Sequence, residues 1–407
     1  MEIDQYKYVV GQGNDLSFKS LNHPDVLVEF IPLLKSDRRL RKHFILNFKE
    51  VTKAVYPNIC TPLSGILEEL TGKGFEFEYY CQSDYLKKLC LTSPKNVADN
   101  LDDLGLDRIW KFSNSEDIQR IVNSFTERIA QSIVCEQGVL LGLDWSLNEV
   151  MDNVLQHSTC NSGYVMAQVH RSQSRIAICV FDNGQGIYNS LKKSSHAPNT
   201  PLDALKICVK EGITRDKRVG QGNGLWGLHQ IITNNSGILS ITSNTAAYQL
   251  RGKKTSFIEE IPSLSKGNGG TIVDFQLAYN KEISVSKALG GHEPTNYQLE
   301  SFEDDHGNVL FKLADRASGT GTRQSGQKLR NELINLYKQS RQSITIDFSG
   351  VNVSSSFADE LLGKLVVEFG FYGFNNIFKL KNMNETVQAI VQRSVAQRMM
   401  EGISKPQ

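Results

Sequence analysis

No cysteine in this chain has a close sequence partner. The seven, at 60, 81, 90, 135, 160, 179 and 208, are scattered, form no CxxC pair and stop at residue 208. An odd, dispersed set argues against a disulfide framework or a thiolate metal site, and reads as small buried hydrophobes in a reducing compartment. No apolar run approaches the length needed to span a bilayer. The opening MEIDQYKYVVGQG lacks the basic stretch and apolar core of a secretory leader, so the cytoplasm is the expected location. Net charge is scarce too: 45 Lys and Arg against 44 Asp and Glu leave +1. That balance gives no electrostatic case for a nucleic-acid or membrane partner. The one basic run, KSDRRLRKH at 35–43, reads as a solvated helix face.

What is present is the composition of folded domains: 40% hydrophobic and 22% charged residues, with mean hydropathy −0.31, over 407 residues. That length suggests two or three domains. Apolar residues at 118, 121, 122, 125, 129 and 133 recur at helical spacing, and a second helix is expected over about 138–158. GYVMAQVH and RIAICVF, joined by the polar RSQS, predict an antiparallel hairpin. A helix near 201–211, a glycine-rich loop, a helix over 224–235 and the strands ILSITSN and TIVDFQL complete a block bounded at 113–280. On either side lie shorter stretches, 1–112 and 309–407, the second reached through a linker at 281–308. Both contain strand, loop, helix and strand in that order, and ILNFKEV with PLSGILEEL aligns with ITIDFSGV and FADELLGKL as a weak internal repeat.

Within NEVMDNVLQH (148–157), Glu149, Asn153 and His157 are spaced four apart and form one polar stripe. Leu147, Val150, Met151 and Val154 form the buried one. Alone this describes any surface helix. Downstream, FDNGQGI (181–187) sets a carboxylate at a strand end beside two glycines. Asp182 can accept from an exocyclic amine there, while Gly184 and Gly186 permit close backbone approach; a tight turn explains the same residues. VGQGNGLWGLHQII (219–232) runs Gly220, Gly222, Gly224 and Gly227 into a helix start, where free amides suit phosphate. It lacks the Lys-Ser/Thr ending of a P-loop. NGGTIVDFQL (268–277) places Gly269, Gly270 and Thr271 at the start of the closing strand.

In this order the four motifs resemble the N box and the three glycine boxes of the GHKL superfamily of ATPases, which includes gyrase, heat-shock chaperones, histidine kinases and mismatch-repair proteins. The resemblance covers about 140–277. It implies an α+β chain with a central Bergerat-fold sandwich, a mixed sheet with helices on one face, holding ATP and Mg²⁺ between them. By that resemblance Asn153 binds Mg²⁺ and Glu149 is the catalytic carboxylate that polarises the attacking water or hydroxyl. Asp182 reads adenine beside Gly184, Gly186 and Ile187, with Thr271 nearby. Gly220, Gly222, Asn223, Gly224 and Leu225 belong to the phosphate loop, and residues from Ile187 to Gly222 become a mobile lid. Arg215, Lys217 and Arg218 suit either a γ-phosphate contact or solvent, and His157 either a phosphate contact or a helix cap.

The C-terminal stretch resembles STAS-like domains. In anti-sigma-factor antagonists the loop matching DFSGVNVSSSFADELLGKL carries a serine phosphorylated by a Bergerat-fold kinase, which makes Ser355 the candidate phosphoacceptor and Ser356 the next. A helix cap, with Asp359 completing a capping-box variant, explains the same serines, and Phe357 stands where the family has glycine. None of the eight histidines carries an H-box pattern. The expected function is an ATP-dependent switch for a protein partner, with a homodimer implied by the resemblance; the alternatives are a protein-serine kinase acting on a STAS-like domain and a non-catalytic, ATP-ordered scaffold.

Overall fold

The computed structural model describes residues 7–36, 42–52, 55–100, 104–213, 223–261 and 270–403. Most of the basic run at 35–43 and the lid cations Arg215, Lys217 and Arg218 lie outside them. The chain opens with β1 (Val9–Gln12), β2 (Asp15–Phe18), α1 (Asp25–Ser36), β3 (His43–Asn47), α2 (Pro57–Gly72) and β4 (Glu76–Tyr80). Its strands form a four-stranded sheet in the order β1-β2-β3-β4, antiparallel at β1–β2 and parallel from β2 to β4. Pro57 opens α2, where its fixed φ suits the first turn and its missing N–H costs nothing.

Short α3 (Asp84–Lys88), β5 (Lys95–Asn96) and β6 (Trp110–Phe112) lead to α4 (Ser115–Ser132) and α5 (Val139–His157). There follow β7 (Gly163–His170), β8 (Arg175–Asp182), α6 (Gly186–Lys192), α7 (Pro201–Cys208), α8 (Gly224–Asn235), β9 (Ile238–Ser243), β10 (Ala246–Arg251), β11 (Lys254–Ile258) and β12 (Thr271–Ala278). They build a mixed eight-stranded sheet, β11-β10-β9-β12-β8-β7-β6-β5, in which β5–β6 is the parallel pair. Tyr164 faces Phe181 across the β7–β8 hairpin, and Thr271 faces Asp182 across β12–β8. The helical spacing expected over 116–133 is realised: Ile118, Ile121, Val122, Phe125, Ile129 and Ile133 are buried, as are Leu147, Val150, Met151 and Val154 on α5.

Alternation along β8 divides the sheet's two faces. Val180 and Asp182 point into a cavity under the helices, while Cys179 and Phe181 join the apolar core built with the N-terminal stretch. Helix α2 lies directly on that second face. A Cβ at Gly65 would sit 2.6 Å from the Phe181 ring and 2.8 Å from Tyr164, so only glycine allows this approach. Asn183 Nδ2 donates to the Gly65 carbonyl at 3.0 Å. The N-terminal stretch and the central block therefore form one compact unit, Met1–Phe125 with Gly142–Ala278 and Ile283–His292.

The second unit comprises Thr126–Leu141, Tyr279–Glu282 and Glu293–Gln407. It contains α10 (Tyr297–Glu300), β13 (Val309–Lys312), α11 (Leu313–Arg316), α12 (Arg323–Ser340), β14 (Ile344–Asp347), α13 (Ser355–Ala358), α14 (Lys364–Ile377), β15 (Phe378–Lys381) and α15 (Glu385–Ile403), with a wide helical turn at Asp359–Gly363. The three strands are parallel, in the order β13-β14-β15. Asn335, buried on α12, ties the turn between α4 and α5 into this unit: its Nδ2 donates to the carbonyls of Ala130 and Ile133 at 2.8 Å, and its Oδ1 accepts from Cys135 N at 2.7 Å.

Two expectations change. The stretch 281–308 is only partly a linker, because α9 (Val285–Ala288) and its flanks fold into the first unit with Ile283, Val285, Ala288 and Leu289 buried. Strands β10 and β11 occupy residues to which the periodicity assigned no element; every residue of β11 is exposed, so no alternating pattern marks it.

Candidate functional site

A cavity of about 520 Å³ lies within the first unit between the sheet and helices α5, α6, α7 and α8. One end gathers the polar stripe of α5. Glu149, Asn153 and His157 all line the cavity, joined by Asp152 and Gln156. Helix α8 begins against them: a Cβ on Gly224 would lie 2.5 Å from Glu149 Oε2 and 3.2 Å from Asn153 Nδ2. The Asn223 side chain does not cap α8; its Oδ1 accepts from Gly212 N at 3.1 Å instead. Unsatisfied first-turn amides at a helix N-terminus attract anions.

Asn153 Nδ2 is buried and has no hydrogen-bond partner among the described residues. A buried donor left unpaired costs roughly 1–3 kcal/mol, so a bound acceptor at this point offsets a standing penalty. Amide nitrogen and oxygen exchange by a flip of the side chain, and the turned amide presents Oδ1 to a cation. Burial raises the pKa of Glu149, and the nearby Asp152 raises it further. His157 is the last residue of α5 and its carbonyl accepts from Gln185 Nε2 at 2.6 Å.

The opposite end is built on strand termini. Asp182, 4% exposed, has its pKa pushed up to about 7 by burial, against the hydrogen bonds from Gly184 N, at 2.8 Å, and Thr271. The turn that follows depends on glycine. Gly184 leaves no room for a Cβ against the Ser158 carbonyl, and Gly186, at φ +76, would drive one to 2.5 Å from Asn244 Oδ1. Gly270 N donates to the Gly184 carbonyl at 2.8 Å, which joins the second and fourth sequence motifs directly. Val180, Val273, Leu191, Cys208 and Ile213 provide apolar walls, and Ile187 and Thr271 line the same space.

Glu149, Asn153, His157, Asp182, Gly186, Ile187, Asn223, Gly224, Leu225 and Thr271 thus line one cavity. Gly184 supports it from behind, and Gly220, Gly222 and Gly269 lie outside the described residues. The expected lid is helical over much of its described length, as α6 and α7, with Ser190, Leu191, Ala204, Leu205 and Cys208 buried. Sequence reasoning missed Ser243, whose Oγ accepts from Ile187 N at 2.9 Å and donates to the Gly270 carbonyl at 3.1 Å. It also missed Trp145, Trp226, Leu289 and His292 on the cavity wall. Trp145 had a signal, since it precedes Glu149 by four residues on the same helix face. Trp226 had one too, since it follows Leu225 within the glycine-rich motif, whereas Ser243, Leu289 and His292 come close only through tertiary folding.

In the second unit Ser354, not Ser355, caps α13, accepting from Phe357 N at 3.1 Å and pairing with Ser356 at 3.0 Å. Ser355 is exposed. Asp359 makes no capping box; it forms a two-point ion pair with Arg398, at 2.7 Å through each oxygen, which holds its carboxyl below the usual range.

Residues 325–388 match the family described as a STAS-like domain of unknown function. No curated protein matches the chain. Among solved structures, full-length ShkA in complex with AMPPNP aligns over 72% of this chain and 57% of its own, at 11% identity and a TM-score of 0.23. The 43K ATPase domain of Thermus thermophilus gyrase B, in complex with an aminocoumarin, aligns over 44% of this chain and 43% of its own, at 13% identity and a TM-score of 0.21. The chain thus spans less than two thirds of either structure, and likenesses this low carry no weight on function. Among the described residues no helix is long and apolar enough to cross a membrane.

Proposed function

We propose that the first unit is a Bergerat-type, GHKL-like ATPase that binds ATP with Mg²⁺, hydrolyses it slowly, and acts as a nucleotide-dependent switch for a protein partner. The observation that carries this reading is chemical polarity along one cavity. A buried carboxylate and an apolar cleft suit adenine at one end, and an uncapped helix start beside Glu149 and an orphaned Asn153 amide suits phosphates at the other. A volume of about 520 Å³ is within the range of small-ligand sites.

In this reading Asp182 accepts from the adenine amine, and the α8 amides receive phosphate oxygens. Asn153 would hold Mg²⁺, whose charge offsets that of the phosphates. Glu149 takes a proton from the attacking water as that water's oxygen bonds to the γ-phosphorus and the bond to the ADP oxygen breaks. Its raised pKa makes it a better proton acceptor. The second reading, phosphotransfer to Ser355, is favoured by one feature: that hydroxyl is exposed while its neighbours cap α13 or pair with the cap.

Incubation of the full chain with γ-labelled ATP separates these. Free labelled phosphate, lost in Glu149→Gln while nucleotide binding stays within about twofold, is the expected result, and Asn153→Ala should abolish Mg²⁺-dependent binding. Label retained on protein and lost in Ser355→Ala selects phosphotransfer. Unaltered phosphate release by Glu149→Gln removes that residue as the base.

A further inference from the structure

The segment that follows the closing strand returns to the cavity. Ile283, Val285, Ala288 and Leu289, 4 to 8% exposed, are buried along a strap that ends at His292. Its course is set by hydrogen bonds: Ser284 N donates to Asn234 Oδ1 at 3.3 Å, and Gly291 N donates to the Ser286 carbonyl at 2.8 Å. Gly290 and Gly291, at φ +66 and +94, make a left-handed turn that other residues adopt only with strain. His292 N donates back to the Leu289 carbonyl at 3.2 Å, and both Leu289 and His292 line the cavity.

The strap packs over the seam between α5 and α8, the two helices that carry the phosphate end. A Cβ on Gly227 of α8 would meet the Trp145 ring of α5, and would lie 2.8 Å from Leu289 Cδ2. One turn along, Gly142 of α5 faces Ile231 of α8 and Ile283 of the strap, each 3.4 Å from its Cβ position. At Gly227 the missing side chain lets Trp145 of α5 and Leu289 of the strap pack side by side against the α8 backbone. On the same α8 face, three residues before Gly227, Gly224 abuts Glu149 and Asn153. The adenine end is made by β8, β12 and the α6–α7 pair instead.

We propose that the strap Ile283–His292 is a positioning element for polyphosphate: Leu289 sets the spacing of α5 and α8, and with it the affinity for the phosphates, without acting on the base end. This inference rests on the nucleotide reading of the cavity. Both chain flanks of the strap, Tyr279–Glu282 and Glu293 onward, belong to the second unit. The chain that clamps the phosphate end is therefore the one that runs out to the STAS-like region, which makes the strap a route by which a partner on that region can adjust nucleotide affinity.

Calorimetry on the full chain with two probes, adenosine and AMPPNP, decides the matter. Leu289→Ala should weaken AMPPNP about tenfold while adenosine stays within about twofold, and the near-isosteric Leu289→Met should restore AMPPNP. Adenosine binding also reports that the unit is folded; where Leu289→Ala does not fold, Leu289→Val replaces it. Equal weakening of both probes, or of neither, overturns the strap's role. A wild-type chain that binds neither probe refutes the nucleotide reading itself, a result distinct from failure of the strap.

Discussion

Asp182 should make nucleoside binding proton-linked. Burial pushes its carboxyl up to a pKa of about 7, whereas an ordinary aspartate titrates near ~3.9. The ionised carboxylate is the stronger acceptor for the exocyclic amine of adenine, so binding that selects this form expels a proton wherever the free protein carries one. With the bound form ionised throughout, the apparent dissociation constant scales as the inverse of the ionised fraction. Relative to full ionisation it rises about 11-fold at pH 6, about twofold at pH 7 and about 1.1-fold at pH 8. The span from pH 8 to pH 6 is therefore about tenfold, or ~1.4 kcal/mol, with tighter binding on the alkaline side. Adenosine is the right probe, because it has no phosphate to titrate in this range. Calorimetry in buffers of different ionisation enthalpy should count about 0.9 proton released per adenosine at pH 6 and about 0.5 at pH 7. Asp182→Asn keeps an acceptor oxygen but should bind with no pH dependence. A dissociation constant that is flat from pH 6 to pH 8 in the wild type, or that falls in acid, refutes the assignment of Asp182 to the base.

Further tests address the frame around the site. Asp274 on β12 is buried and its pKa is pushed up to about 7 by desolvation, against the pull of Arg251. The folded chain thus holds a proton that the unfolded chain has lost between about pH 4 and pH 7, so stability falls as pH rises through that window. Asp274→Asn should raise the urea midpoint of the first unit at pH 8 and leave it nearly unchanged at pH 4; an equal gain at both values would show that charge is not the cause. Asn335→Ala strips partners from Cys135 N and the carbonyls of Ala130 and Ile133. It should destabilise the second unit by about 1–3 kcal/mol for each group left unpaired, and a denaturation midpoint within error of wild type would contradict that. Gly65→Ala should disturb α2 against the sheet, seen as faster amide exchange in Pro57–Gly72, because its Cβ would meet Phe181 and Tyr164 within 2.8 Å. Unchanged exchange there would show that the helix can shift at no cost.

Much of the central unit is legible in the chain because its helices are amphipathic and its inner strands β7, β8 and β12 are short, nearly continuous apolar runs. The positions that place Glu149 and Asn153 on one face of α5 follow from a period of 3.6 residues, and those that put Val180 and Asp182 on one face of β8 follow from a period of two. The order of four motifs then suggests one ligand, and the cavity gathers residues from each of the four. Local pattern could not supply what depends on distant partners. Ser243 and Asn244 support the turn after Asp182 from a strand some sixty positions away, and no periodicity encodes that contact.

By itself the sequence determines the local elements and the residue types available for chemistry, since backbone geometry and burial periodicity act over a few residues. Tertiary structure decides which faces are covered. It lays α2 on the reverse of the eight-stranded sheet through Gly65, draws the turn between α4 and α5 into the second unit through Asn335, and turns part of a nominal linker into a strap on the cavity wall. Each of these rests on a close approach between segments far apart in the chain, fixed by packing density and by the need to pair buried polar groups, neither of which a local pattern records.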